Sequence, residues 1–355
     1  MSFQKKSDIY CSVALSSENG SNNNKYYTSN SDVYWKQSKI KNTSNFKLIT
    51  KDIDNSTTFV KSTIYVIKGI VRVLANVKIT IENGTNIYIM NGPMRSSLIF
   101  NTGSSLDAKH VYLRACDSKY NPVKVANNGG LWFLGSSSNA DKDKIFVRYN
   151  VNASSFTAIR IVASYLGRSD PKGGDGPNTD DIDGISVLGV GSNEWNISSI
   201  VSYYSGDDGF DVENSAITLK NLRVVEPKED GLNITSSRVN ILNSLEIDMG
   251  KSKGKDRDIF DLEPDEGQAY VRLEKGCNVN ISGVFGDQLK LVSKDLPQPD
   301  GNKYYTFTGK LAKGQTYVYA QKICNKKTLD EPPKFPFLST IQNIVQHVEI
   351  LKNII

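Results

Sequence analysis

Four aspartates stand at equivalent places in four similar segments, and their regular spacing is the feature of this chain that could do chemistry. Each lies two residues before an apolar residue in a segment of alternating polarity; the four are Asp183, Asp208, Asp230 and Asp258. They are separated by 25, 22 and 28 residues. If the segments stack as strands about 4.8 Å apart, the four carboxyl groups are brought together. Crowded carboxyl groups share protons, bind a cation or take part in acid–base catalysis.

The elements that would position these acids are β-strands, because apolar and polar residues alternate within each segment. A repeat of 20–50 residues is typical of a solenoid. The same frame can be placed on residues 129–133 and 157–161. It predicts two inward apolar columns, formed by Leu131, Ile159, Ile185, Phe210, Leu232 and Phe260 and by Phe133, Ile161, Val187, Val212, Ile234 and Leu262. The residues between them would point outward; they are Trp132, Arg160, Ser186, Asp211, Asn233 and Asp261.

The repeat predicts an all-β fold, a right-handed parallel β-helix over residues 46–299 with two or three short strands in each coil. Residues 1–45 are rich in Ser, Asn and Lys and are expected to form a flexible arm. Residues 300–355 are expected to form a small β segment followed by a helix over 338–355 that caps the solenoid. A β-propeller is the competing fold, but its repeats are longer, about 40–50 residues.

Composition narrows the classes of function. The 355 residues carry a net charge of +5 without a concentrated basic face, so no nucleic-acid partner is predicted. No segment has the length of a membrane span, and the polar start of the chain is unlike a classical signal peptide. A virion-associated or cytoplasmic location is compatible with this, as are a monomer and a homotrimer. The four cysteines are far apart and are expected to be thiols rather than a disulfide framework.

Together these features resemble the pectin-lyase-like β-helix superfamily and, within it, the polygalacturonase family of glycoside hydrolases. That family carries Asn-Thr-Asp, Asp-Asp, Gly-His-Gly and Arg-Ile-Lys on successive coils. Here Asp181-Ile182-Asp183 and Asp207-Asp208 occupy the first two places, Asp230 the place of the His, and Asp261-Leu262-Glu263 the last. The literal Asn178-Thr179-Asp180 falls in a loop by strand register.

The resemblance implies a carbohydrate partner and hydrolysis of glycosidic bonds by Asp183, Asp207 and Asp208, with Asp208 as the acid and the other two activating water. The expected substrate-binding residues are Trp132, Arg160, Asp211, Asp230, Asn233, Asp261 and Glu263. Because acids replace the family's Arg and Lys, a neutral or amino sugar is expected rather than a uronate. Two loops, 167–181 and 251–256, would form walls of a cleft over the acids.

Other functions remain open at this point. No cofactor is required for hydrolysis, but oxygen ligands suit Ca²⁺, and the expected ligands are Asp181, Asp208, Asp230 and Asp258. A calcium-assisted polysaccharide lyase is the second enzymatic interpretation. The non-catalytic alternative is a virion or surface β-helix protein that binds glycans or serves a structural role, with or without stabilising calcium.

Overall fold

The computed structural model describes residues 45–136, 152–169, 182–252, 257–263 and 269–284, together with the backbone of residues 305–310 and 317–320. Within this part of the chain there are 24 β-strands and no helix, and therefore no helix long and apolar enough to cross a membrane. The predicted arm and capping helix, and most of the two predicted loops, lie outside the described residues. The division of the chain at residues 45 and 300 stays a prediction.

The strands form three sheets, called A, B and C. Sheet A contains twelve strands: β1 (Phe46–Ile49), β3 (Ile64–Ile67), β6 (Thr85–Met90), β9 (His110–Cys116), β12 (Arg160–Ser164), β15 (Ser199–Tyr203), β17 (Ala216–Val225), β19 (Arg238–Asp248), β21 (Tyr270–Leu273), β22 (Asn278–Gly283), β23 (Tyr305–Lys310) and β24 (Tyr317–Ala320). The strands from β1 to β22 pair in parallel, whereas β23 and β24 pair antiparallel to β22 and β21.

Sheets B and C are built from shorter strands. Sheet B contains β4 (Ile70–Val73), β7 (Ser97–Phe100), β10 (Leu131–Leu134), β13 (Ile185–Leu188), β16 (Asp211–Glu213), β18 (Leu232–Thr235) and β20 (Phe260–Glu263). Sheet C contains β2 (Thr57–Phe59), β5 (Lys78–Ile81), β8 (Ser105–Ala108), β11 (Ser155–Ala158) and β14 (Trp195–Ile197). All pairings within these two sheets are parallel.

The chain passes through the sheets in a repeating order, from B through C to A and back to B. We call each passage a circuit and number the seven circuits by the strand of sheet B that opens them, from β4 to β20. In the fifth and sixth circuits the long strands β17 and β19 follow sheet B directly. An all-β chain with parallel sheets visited in this order is compatible with a parallel β-helix.

The strand alignment of sheet B agrees with the predicted one for all segments except one. Trp132 pairs with Ser186, Asp211 with Asn233, and Asn233 with Asp261. The alignment predicted for residues 157–161 is wrong, because Leu131 pairs directly with Ile185. Residues 155–158 belong to sheet C and Arg160 to sheet A, where it pairs with His110; Ile159 lies in the turn between them and is 50% exposed.

The apolar side chains that point inward from all three sheets form one continuous cluster. At its centre the rings of Phe100 and Phe133 stack with centroids 5.4 Å apart, and Trp195 meets Phe133 edge-on at 5.5 Å. Burial of such rings and of the aliphatic columns contributes about 25 cal/mol per Å² of apolar surface removed from water. The inward residues of sheet B are among those buried, so the strands that carry the acids rest on a packed core.

The two cysteines in the described part of the chain, Cys116 and Cys277, are buried thiols, as predicted. Burial raises the pKa of both thiols to about 12, so they are protonated at neutral pH.

A buried carboxylate ties the turn before β14 to the preceding circuit. Glu194 accepts hydrogen bonds through Oε1 from the backbone N–H groups of Ser136 (2.9 Å) and Ser154 (2.7 Å). Its Oε2 accepts from the N–H of Gly191 at 2.8 Å. One side chain therefore provides the acceptors for three backbone donors, of which that of the buried Ser154 would otherwise be left without a partner.

We expect Glu194→Ala to lower the free energy of unfolding by about 3 kcal/mol, because a buried donor left without an acceptor costs about 1–3 kcal/mol. Glu194→Gln keeps one amide oxygen and should lose less. Chemical denaturation followed by circular dichroism measures this, with Glu82→Ala as a control because Glu82 accepts one backbone hydrogen bond at an exposed site. Equal losses in Glu194→Ala and Glu82→Ala would contradict the assignment.

Candidate active site

Seven equivalent positions, two residues before the first inward apolar residue of each sheet B strand, form what we call the head column. In circuit order they are Gly69, Ser96, Gly129, Asp183, Asp208, Asp230 and Asp258. The first three circuits have no acid in this column although their strands pair in the same way. The fold therefore does not require a carboxylate at this position, and the four acids need another explanation.

A glycine follows three of the four acids. These glycines are Gly184, Gly209 and Gly231. A Cβ atom added to Gly209 would lie 2.2 Å from Cγ1 of the buried Val224 and 2.7 Å from the carbonyl oxygen of Gly231, so this position faces the packed interior. A side chain larger than that of glycine would therefore clash with the core at the position after Asp208.

Two of the acids bind the backbone of the next circuit. Oδ1 of Asp208 accepts a hydrogen bond from the N–H of Asp230 at 2.8 Å, and Oδ1 of Asp230 accepts one from the N–H of Asp258. These bonds fix the carboxyl groups in a column along the stacking direction. In Asp208 the bond occupies Oδ1, and Oδ2 is the atom that could carry a proton.

The environment of Asp208 favours its protonated form. Burial, together with the negative charges of Asp230, Asp183 and Asp207, raises the pKa of Asp208 well above its ordinary value of 3.8. The hydrogen bond from the N–H of Asp230 acts in the opposite direction but does not overcome these effects. Asp208 is 6% exposed. A carboxylic acid that keeps its proton toward neutral pH can act as a general acid.

Asp230 is affected in the same direction. Its burial raises its pKa well above 3.8, and the nearby charges of Asp261, Asp258 and Glu229 raise it further, while the N–H of Asp258 opposes the shift. The guanidinium group of Arg257 lies close enough to interact with Asp230 electrostatically. However, it makes five hydrogen bonds to backbone carbonyl oxygens, including those of Pro227 and Lys228, and none to a carboxylate. The raised pKa of Asp230 therefore favours its protonated form.

Asp207 and Asp208 meet a third carboxylate that the sequence did not reveal as a site residue. One oxygen from each of Asp207, Asp208 and Glu229 lies within 4.8 Å of the other two. Glu229 precedes Asp230 as Asp207 precedes Asp208, 22 residues apart, so comparison of the two circuits could have identified it. The predicted calcium ligands do not coincide with this group: Asp208 belongs to it, whereas Asp181 lies outside the described residues.

Asp183 is the more accessible acid and is connected to Trp132. The hydroxyl of Ser186 donates a hydrogen bond to Oδ2 of Asp183 at 3.1 Å, and Ser186 pairs with Trp132 on the neighbouring circuit. The half-buried indole of Trp132 donates its N–H to the carbonyl oxygen of Gly129 at 2.7 Å. Its ring is thus held with its polar atom already bonded, on the face of sheet B that also carries Ser186.

The outer face of sheet B continues from Trp132 through Ser186, Asp211, Asn233 and Asp261, as predicted. Arg160 is not part of this face, since it lies in sheet A. Asp211 is 2% exposed, and its predicted contact with a glycan stays a prediction. Asn233, Asp261 and Glu263 are half-buried, and Glu263 accepts a hydrogen bond from the hydroxyl of Thr235 at 2.6 Å.

Comparison of the chain with models of protein families, with curated proteins and with solved structures finds no match. The class that the described part defines is an all-β protein of parallel sheets, with a column of acids at the ends where successive strands of sheet B begin.

The raised pKa values predict how stability depends on pH. Between 3.8 and the raised pKa values of Asp208 and Asp230 the folded protein binds more protons than the unfolded chain, so the free energy of unfolding falls as pH rises through this window. We expect Asp208→Asn, which carries no charge at any pH, to raise the melting temperature at pH 8 by at least about 2 °C and to weaken its dependence on pH. The amide oxygen of Asn can still accept the N–H of Asp230.

Thermal melts at pH 5 and pH 8 test this, with Asp54→Asn, at an exposed aspartate, as the control. An equal loss of melting temperature at both pH values in Asp208→Asn would show that the carboxyl group is needed for the fold and would contradict the interpretation.

Proposed function

We propose that this protein is a right-handed parallel β-helix similar to the pectin-lyase-like superfamily, and that it hydrolyses glycosidic bonds of a polysaccharide or glycan. The observation that carries this proposal is Asp208, a buried carboxyl group with a raised pKa that lies among other carboxylates. The head column has Gly or Ser in the first three circuits, which supports a chemical rather than an architectural reason for its acids.

In this mechanism Asp208 is the general acid. Its Oδ1 is held by the N–H of Asp230, and its Oδ2 donates the proton to the oxygen of the leaving group. Glycoside hydrolysis requires such a proton donor together with a second, ionised carboxylate on the other side of the scissile bond.

Asp183 and Asp207 are the carboxylates that activate water. Asp183 lies on the neighbouring circuit, where strands are about 4.8 Å apart, and Asp207 precedes Asp208 in the chain. Because water attacks directly, without a covalent intermediate, the product would have an inverted anomeric configuration. Inverting enzymes hold their two carboxyl groups about 6.5–9.5 Å apart, a span that side chains on neighbouring or alternate circuits can provide.

The charge of the site favours a neutral or amino sugar. The ionised carboxylates among Asp183, Asp207 and Glu229 would repel a uronate, whereas a neutral ring is unaffected and an ammonium group is attracted. Trp132, which pairs with Ser186 on the neighbouring circuit, would give an apolar surface for one sugar. Asn233, Asp261 and Glu263 lie on the later circuits and would bind hydroxyl groups.

We expect Asp208→Asn to lower kcat by at least about 10²-fold, since general acid catalysis contributes about 10²–10⁴-fold, while circular dichroism and the melting transition remain those of a folded protein. The rate of the wild-type protein should fall as pH rises through the raised pKa of Asp208, because the ionised acid cannot donate a proton. Release of reducing ends from mixed glycans measures the rate, and Asp54→Asn serves as the control. Turnover retained in Asp208→Asn would exclude Asp208 as the acid.

A second candidate function is the binding of a divalent cation by Asp207, Asp208 and Glu229. Ca²⁺ binds oxygen ligands at about 2.3–2.6 Å, so oxygens on opposite sides of the ion are about 5 Å apart. The carboxylate oxygens of these three residues, all within 4.8 Å of one another, fit that spacing. A bound cation would lower the repulsion among the acids and would stabilise the fold.

If this group binds Ca²⁺, excess Ca²⁺ should raise the melting temperature relative to EDTA, because a ligand that binds only the folded state stabilises it. Glu229→Gln should abolish the increase while leaving Asp208 in place. Equal melting temperatures in Ca²⁺ and EDTA would exclude a calcium site in this group, and reducing-sugar release in EDTA would separate hydrolysis from any need for the ion.

A further inference from the structure

Three tyrosines, Tyr165, Tyr203 and Tyr204, lie where strands of sheet A end and the chain turns toward sheet B. The rings of Tyr165 and Tyr204 stack with centroids 4.9 Å apart and planes 10° from parallel. The ring of Tyr203 lies 6.4 Å from that of Tyr204. Tyr204 is 38% exposed. We call this group the tyrosine cluster.

Two residues of the tyrosine cluster have a backbone conformation that tyrosine rarely adopts. Tyr165 has a φ of 58° and Tyr204 a φ of 53°, in the left-handed region that favours glycine. The N–H of Tyr165 donates to the carbonyl oxygen of Tyr203, and that of Tyr204 to the carbonyl oxygen of Val225, both at 2.8 Å. The same left-handed conformation recurs at Glu226 (φ 48°), the equivalent residue of the next circuit, so it belongs to this turn, and tyrosine occupies the turn on two successive circuits.

Cations and acids on sheet A hold the rings from one side. The guanidinium carbon of Arg114 is 5.8 Å from the ring centroid of Tyr165, and that of Arg223 is 5.5 Å from the ring centroid of Tyr203. Arg223 in turn forms an ion pair with Glu246, with Nε 3.2 Å from Oε1. Such contacts restrict the rings before any ligand arrives, which lowers the entropy lost on binding.

The tyrosine cluster lies close in sequence to the acids of the proposed active site. Tyr204 stands three residues before Asp207, so their Cα atoms are at most about 11 Å apart. The other tyrosine of the stack, Tyr165, belongs to the circuit that leads to Asp183. A glycan whose scissile bond lies at Asp208 and Asp183 would therefore pass close to the exposed ring of Tyr204.

We propose that Tyr204, supported by Tyr165, forms a sugar-binding subsite that stacks against the apolar face of a neutral pyranose next to the scissile bond. This inference rests on the proposed glycan hydrolysis at Asp208. Tyr204 is 38% exposed, and a tyrosine ring with its polar hydroxyl group suits a ligand that is apolar on its ring face and polar around its rim.

The first measurement is the KM for hydrolysis of hexasaccharides of glucose, xylose and N-acetylglucosamine. The second is the Kd for the same hexasaccharides, measured by calorimetry in proteins that also carry Asp208→Asn. We expect Tyr204→Ala to raise KM and Kd about three- to ten-fold for the hexasaccharide that binds, with a smaller effect on kcat. Tyr204→Phe should retain the affinity. Tyr204→Gly relieves the backbone and should show the same loss as Tyr204→Ala, which separates loss of the ring from misfolding.

The control is Ile159→Ala, which removes an exposed apolar side chain from a different turn. Unchanged KM and Kd in Tyr204→Ala and Tyr204→Gly, with turnover abolished by Asp208→Asn, would overturn the subsite and leave the proposed hydrolysis intact. Binding that is lost in Tyr204→Ala but accompanied by no turnover in the wild-type protein would support the subsite and contradict the hydrolysis. Failure of the wild-type protein to bind any of these hexasaccharides would overturn the subsite.

Discussion

The constraint on which the rest of the structure depends is the parallel, in-register stacking of successive circuits. Residues at equivalent places are brought to about 4.8 Å from one another whatever their type. For apolar residues such as Phe210, Leu232 and Phe260 this proximity stabilises the core. For Asp183, Asp208, Asp230 and Asp258 it concentrates negative charge that must be compensated. The same backbone geometry thus produces both the most and the least favourable contacts in the molecule.

Hydrogen bonds and protonation both help the fold to tolerate these acids. Asp208 and Asp230 each accept an N–H from the next circuit, and burial raises the pKa of both. Arg257, a buried cation that interacts with Asp230, donates its hydrogen bonds to carbonyl oxygens of the turns. A site of this kind keeps protons at groups that could donate them, and this property connects the stability of the fold to the chemistry that we propose.

The sequence predicted which segments form strands better than it predicted which strands are neighbours. The strands after Asp183, Asp208, Asp230 and Asp258 align as predicted because alternation marks all four and an Asp-Gly pair marks the first three. The segment around Arg160 was assigned to the wrong sheet, since alternation identifies a strand but not its neighbours, and the third circuit is about twice as long as the others. Glu229 was missed because a charged residue before a strand resembles a solvated turn. Neither the burial of Asp211 nor the stacking of Tyr165 on Tyr204 can be read from a single strand.

The change in the head column from Gly69, Ser96 and Gly129 to four aspartates has a consequence for how such a protein can evolve. The backbone is periodic along its whole described length, but the reactive side chains are confined to one end of it. Circuits at the other end can therefore be gained, lost or lengthened, as the long third circuit illustrates, without disturbing the spacing of the acids. Selection can act separately on the number and length of the circuits and on the reactive acids, because these lie in different stretches of one repetitive fold.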